Sequence, residues 1–217
     1  MTEDSPWAVS LRDVDRFCKL LVYFNDNSIQ PDVGVWKVAA NKRNQPKHKK
    51  RDIALVLAIY FCYVIRMGEQ LKRDGVIKFV SNVQQPGMTT KKKKCLQIDR
   101  FKDIVKREQE RFLDKMEIKA GIGRNYPLTE NIFVIITCIL NQIPLIVTGK
   151  PGSSKTLAMN LILKSFKGKI SSSEFFKSYP NFLNYNFQGS EQSTSKGIEK
   201  IYKKAAEEQY KKNRKDT

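Results

Sequence analysis

The stretch Ile143-Pro144-Leu145-Ile146-Val147-Thr148-Gly149-Lys150-Pro151-Gly152-Ser153-Ser154-Lys155-Thr156 decides how this sequence is read. Its first six residues are a short apolar run with β-branched members, Gly149 to Ser154 is a loop of small residues, and Lys155 to Phe166 repeats apolar side chains at Leu157, Leu161, Ile162 and Phe166. That order predicts strand, loop, helix. Gly149 to Thr156 also fits the phosphate-loop pattern G-x-x-x-x-G-K-[ST] at Gly149, Lys155 and Thr156, with Ser154 standing where glycine is expected. The pattern has a physical basis. Consecutive backbone N–H groups face a phosphate, the lysine brings a point charge to the β/γ oxygens, and the hydroxyl coordinates magnesium. A helix N-terminus favours the same anion. The candidate nucleotide-binding residues are therefore Gly149, Lys150, Pro151, Gly152, Ser153, Ser154, Lys155 and Thr156, with ATP as ligand and Thr156 on the magnesium. The plain alternative is a glycine-serine turn with no ligand.

Working outward, Leu128 to Leu140 reads as a strongly apolar helix with Thr129 near its start, and Ala120-Gly121-Ile122-Gly123 as a boundary before it. Downstream, Ser171-x-x-Glu174 has the form of a capping box, Phe182 to Phe187 is a candidate second strand, and Ile198 to Tyr210 is a polar helix. Upstream the texture is helical. Ser10 to Phe24 carries Leu11, Val14, Phe17, Cys18, Leu21 and Val22 at helical spacing with Ser10 as N-cap. The apolar run Ile53 to Ile65 is too short to span a bilayer, which takes about 20 residues, and reads as a core helix. Phe101 to Met116 presents Ile104, Val105, Phe112, Leu113 and Met116 on one helical face. The basic runs Asn41 to Arg51 and Lys91 to Lys94 read as solvated linker and loop, the second following the turn signal Pro86-Gly87.

A chain of 217 residues that is 41% hydrophobic and 10% aromatic can build a core, so wholesale disorder is excluded. Its net charge of +18 favours anionic partners without choosing among them. Cys18, Cys62, Cys95 and Cys138 stand far apart and His48 is the one histidine, which argues against zinc fingers and a disulfide framework. The polar, acidic start Met1 to Pro6 is not a secretory signal, and a reducing, cytoplasmic setting is expected.

Leu128-Thr129-Glu130-Asn131, Ile143-Pro144-Leu145 and Gly149-Lys150-Pro151-Gly152-Ser153-Ser154-Lys155-Thr156 together resemble the ATPase core of mysterin, a family of giant ring-finger ubiquitin ligases with AAA+ modules. In that family the phosphate loop itself carries serine before the lysine. The resemblance continues through Tyr185 to Ser190 and Thr194 to Ile198, and upstream through Ser10 to Arg16 and Phe112 to Met116, with 25–50 and 75–96 the least matched. It implies an α/β fold class: a mostly helical first half, lid-like and connecting, over residues 1–120, then the incomplete start of a P-loop AAA+ α/β subdomain over 121–217. Arg12, on the lid-like helix, becomes a candidate nucleotide sensor for a preceding module. Neighbouring AAA+ modules of the same polypeptide and ubiquitin machinery reached through other parts of it are the implied partners.

An AAA+ ATPase also needs an acidic pair ending a later strand, and Glu207-Glu208 lies instead in the polar helical stretch. The chain is therefore expected to be a fragment that binds ATP without turning it over. Two rival readings differ in class. A free-standing P-loop NTPase or kinase calls for a catalytic acid or clamping arginine after the loop, where only Arg214 follows Arg124. A basic nucleic-acid module calls for aromatics among the lysine runs, which have none, so no specific nucleic-acid partner is expected.

Overall fold

The computed structural model describes residues 10–27, 50–82 and 97–213. The basic stretches 41–49 and 91–94 and the turn at Pro86-Gly87 lie outside the described residues, as do His48, Cys95 and Arg214. The chain divides into two compact units, Met1–Ile162 and Leu163–Thr217.

In the first unit α1 (Leu11–Asn27), α2 (Lys50–Ile59), α3 (Gln70–Asn82), α4 (Ile98–Leu113) and α5 (Tyr126–Leu140) pack around one apolar core. Two of these starts, those of α1 and α5, are capped by local side chains. Ser10 Oγ accepts from the Asp13 N–H at 3.2 Å while the Asp13 carboxylate accepts from the Ser10 N–H, a reciprocal cap. Those bonds, and then the Arg66 guanidinium at 2.7 Å, hold the Asp13 carboxyl below its ordinary range. Asn125, not Thr129, caps α5: its side chain accepts from the Leu128 N–H at 2.9 Å with Pro127 in the first turn, and Thr129 Oγ1 donates back to the Asn125 carbonyl.

The predicted core helix Ile53 to Ile65 is α2 running into a π-helical turn, Tyr60–Val64, where the Ile65 N–H donates to the Tyr60 carbonyl. Lys50 and Arg51, read from sequence as the end of a linker, are its first residues. The wide turn keeps Tyr60, Phe61, Cys62 and Val64 buried. Phe133 of α5 sits among three rings, stacked on Phe24 at 6.0 Å and meeting Phe61 edge-on at 6.1 Å, with Tyr60 at 6.4 Å. Predicted faces hold for α4, which buries Phe101, Ile104, Val105, Phe112 and Leu113. The face expected for α1 holds in part: Phe17 and Leu21 pack against the core beside the fully buried Leu20 and Phe24, whereas Leu11, Val14, Cys18 and Val22 are exposed.

The expected α/β class is overturned. Among the described residues there is no β-strand, only an isolated antiparallel bridge between Lys167 and Asn181. A strand exists only by pairing with a neighbour. Ile143 to Thr148 has no such neighbour among the described residues, and Phe182 to Phe187 forms none either. The chain leaves α5 through a Schellman turn, in which Gln142 takes the left-handed conformation at φ 54°, its N–H donates to the Ile139 carbonyl, and the Ile143 N–H reaches the Cys138 carbonyl at 2.8 Å. Ile143 is spent on the helix end, and the run continues without regular structure, with Ile146 88% exposed.

The second unit is held by rings. Phe166 stacks on Phe182 at 4.4 Å and meets Phe176 at 4.8 Å, while the Phe182 N–H donates to the Phe166 carbonyl. The predicted capping box does not form, because Ser171 Oγ is occupied elsewhere, donating to the Ser165 carbonyl and accepting from the Lys167 N–H. Ser173 precedes the single turn α7 (Glu174–Lys177) without a side-chain cap. The polar helix predicted from Ile198 is α8 (Ser195–Asn213), and Tyr185 is pushed up to about 12 by its hydrogen bond to Glu208 on it.

Candidate functional site

The predicted phosphate loop lies wholly in the first unit, where the irregular run ends and α6 (Lys155–Ser165) begins, with Ala158, Leu161 and Ile162 of that helix buried. Gly149 to Thr156 come together around one ammonium group. Lys155 Nζ donates to the Gly149 carbonyl at 2.8 Å, the Lys150 carbonyl at 2.9 Å and Ser153 Oγ at 2.9 Å. A Cβ at Gly149 would meet Ser153 Oγ at 2.9 Å, so the Ser153 hydroxyl that accepts from Lys155 would have to turn aside. Pro151 and Gly152 form the exposed turn, with Gly152 at φ 82°. Thr156 is exposed in the first turn of α6.

Ser154, the one departure from the generic pattern, occupies φ 58°. The backbone is thus left-handed where the pattern asks for glycine, and a serine held there costs on the order of 1 kcal/mol. Its carbonyl accepts from the Ala158 N–H and opens α6. Among the described residues, no acceptor meets the N–H groups of Gly152, Ser154, Lys155 or Thr156, whereas the Ser153 N–H turns back to the Lys150 carbonyl at 3.3 Å. Unpaired N–H groups, a left-handed residue and a helix N-terminus are the general ingredients of an anion-binding concavity. Asn131 of α5, quoted above only for its resemblance, reaches across and donates from Nδ2 to the Ser153 carbonyl at 2.8 Å.

A second polar cluster went unread in the sequence. One carboxylate oxygen of Glu130, Oε1, accepts from Tyr60 at 2.6 Å, from Arg73 at 2.7 Å and from Tyr126 at 2.8 Å, and Gln109 Nε2 donates to the Tyr60 hydroxyl. Arg73 also donates to the Met67 and Ile65 carbonyls at the end of the π turn. Burial pushes the Tyr60 phenol far up, and the Glu130 charge adds to it. The cluster ties the π turn, α3, α4 and α5 together beside an open cavity of about 580 Å³ whose rim cations Lys102 and Arg124 are matched by Asp74 and Asp114. Tyr60, Arg73 and Gln109 reach partners 49 to 70 positions away in sequence, which no local pattern reveals.

Arg12 is exposed on α1. No group of three or more His, Cys, Asp or Glu side chains able to hold a metal exists among the described residues. Nor is any helix there long and apolar enough to cross a membrane.

Residues 121–217, which contain the loop, match the family described as the RNF213 AAA domain. The chain is therefore related to the AAA+ ring-finger ligase family that its motifs resemble, matched in part and at moderate identity over most of its length. It is similar to E3 ubiquitin-protein ligase RNF213 of Homo sapiens, 31% identical over 208 residues, covering 94% of this chain. The corresponding figures are 32% over 202 residues for RNF213 of Mus musculus and 28% over 214 for rnf213-beta of Danio rerio. The chain spans about 4% of the length of each of these relatives. The relation supports an AAA+-related function.

Proposed function

We propose that the loop Gly149 to Thr156 binds the triphosphate of ATP with magnesium, as the nucleotide-binding part of an AAA+ module in a mysterin-like ubiquitin ligase. The observation that carries this is the position of Lys155 Nζ at the focus of the loop, bonded to Gly149, Lys150 and Ser153, beside unpaired N–H groups at the head of α6. Phosphate oxygens replace the two carbonyl acceptors of the ammonium. The N–H groups of Gly152, Ser154, Lys155 and Thr156 supply the cradle, and Thr156 Oγ1 is the magnesium ligand.

Residues 121–217 then carry the start of a nucleotide-binding module and 1–120 a helical lid-like and connecting region, with Arg12 offered to the nucleotide of a preceding module. Partners are neighbouring modules of the same polypeptide and, through other parts of it, ubiquitin machinery in the cytoplasm. No carboxylate is assigned to activating water: Glu130 is engaged by Tyr60, Arg73 and Tyr126, and Glu208 by Tyr185. The chain binds nucleotide and does not turn it over.

Calorimetric titration of ATP with magnesium into the 217-residue chain and its Lys155→Ala variant tests the reading. The variant should lose at least about tenfold in affinity, the scale of a charge-assisted hydrogen bond. Equal affinities in two equally folded proteins would refute it. Phosphate release abolished by Lys155→Ala would refute the absence of turnover.

A further inference from the structure

We propose that Asn131 is a positioning residue of the phosphate loop, holding Ser154 in its left-handed conformation and aiming the Ser154 N–H at the bound anion. The inference rests on the nucleotide-binding reading above and extends it to a residue outside the loop motif. Asn131 Nδ2 donates to the Ser153 carbonyl at 2.8 Å from α5, whose neighbouring Glu130 is fixed by Tyr60, Arg73 and Tyr126. The peptide between Ser153 and Ser154 is trans, as are all the peptide bonds described. In a planar trans peptide the C=O and the following N–H point in opposite directions. Pinning the Ser153 carbonyl toward α5 therefore turns the Ser154 N–H away from α5, and that N–H meets no acceptor among the described residues.

The same bond resists relaxation of Ser154. At φ 58° a serine gains by rotating out of the left-handed region, and rotation would swing the Ser153–Ser154 peptide plane. Asn131 opposes that swing. The Ser153 carbonyl makes no helical bond to Leu157, and α6 begins at Lys155 with its leading N–H groups unspent. Ser153 Oγ meanwhile accepts from Lys155, which completes a path from α5 through Ser153 to the ammonium group.

A double-mutant cycle on the full chain distinguishes this role from a general contribution to folding. Asn131→Leu, similar in size and unable to donate, should weaken ATP-magnesium binding by roughly tenfold, the cost of leaving one carbonyl unheld. Ser154→Gly removes the conformational penalty, so the same substitution in that background should cost less than about threefold. Equal losses in both backgrounds, or an Asn131→Leu variant that binds as the parent does, would overturn the role assigned to Asn131. If Asn131→Leu fails to melt cooperatively, Asn131→Ala carries the same cycle. Lys155→Ala run alongside separates the two levels. Indifference to Lys155→Ala removes the site itself, whereas sensitivity to Lys155→Ala with indifference to Asn131→Leu removes only the positioning.

Discussion

Two apolar segments sit almost end to end in this chain and meet opposite fates. Helix α5, Tyr126–Leu140, buries Leu128, Ile132, Phe133, Ile135, Ile136 and Cys138, while Ile143 to Thr148, as hydrophobic in sequence, forms no regular structure and leaves Leu145 and Ile146 exposed. The difference lies in the backbone. A helix satisfies its own N–H and C=O groups within the segment, so an apolar face is enough to hold it on a core. An extended segment needs a second segment for every hydrogen bond, and none of the described residues supplies it. Hydrophobicity alone therefore predicts the first kind of element far better than the second.

Thiol labelling should separate the two regions most widely. Burial pushes the Cys138 thiol up to about 11. At pH 8 it should react at least about a hundredfold more slowly than a cysteine introduced by Ile146→Cys, because the thiolate is the nucleophile. Comparable rates, followed by site-resolved mass spectrometry, would mean that α5 is not buried or that the irregular run is. In urea unfolding, Phe133→Ala should cost about 3–5 kcal/mol by removing a ring packed among Phe24, Phe61 and Tyr60. Ile146→Ala should stay within about 0.5 kcal/mol. A large loss at Ile146 would break the comparison.

A smaller effect should come from the polar cluster at the N-terminal end of α5. Arg73→Ala leaves the half-buried Glu130 carboxylate with two neutral donors, at a cost of about 2 kcal/mol in the same unfolding assay. The smallest effect belongs to the start of α1. The Asp13 carboxyl is held below its unfolded range by Ser10 and then Arg66, so its contribution is complete above that range and is lost as pH falls through the folded value. Protection of the amides in the first turn of α1, referred to the intrinsic exchange rate at each pH, should fall on acidification below about pH 4, where unperturbed Asp begins to protonate. Asp13→Asn should remove that pH response, and its persistence would exclude Asp13 as the cause.

The elements most legible in the sequence are those whose hydrogen bonds are local. The periodicity of Phe101 to Leu113, the apolar run from Ile53 and the helix from Lys155 all lie where the pattern puts them. Less legible were features set by distant partners. Helix α5 starts at Tyr126 behind an Asn125 cap, ahead of the Leu128 start read from the apolar run, although Asn two residues before Pro127 is itself a readable start. Gln142 ends α5 in a conformation usually marked by glycine, so nothing in the local sequence announced the Schellman turn that consumes the Ile143 N–H. The face of α1 was read correctly at Phe17 and Leu21 and too widely elsewhere, because Leu11, Val14, Cys18 and Val22 are as regularly spaced as the residues that pack. Of the candidate site, Lys155, Gly149 and the loop between them were visible as a motif, whereas the reach of Asn131 to Ser153 spans 22 residues and depends on how α5 lies against the loop.

In the proposed function, the N–H groups heading α6 and the ammonium of Lys155 form one anion cradle. Amide chemical-shift mapping of the isotopically labelled chain during titration with ATP and magnesium tests it most directly. The account predicts saturable shifts concentrated at Gly152, Ser154, Lys155 and Thr156, absent in Lys155→Ala and persisting at about 0.2 M salt, where loosely held polyanions are released. Shifts scattered over the lysines of α8, fading with salt and leaving the loop unmoved, would contradict it.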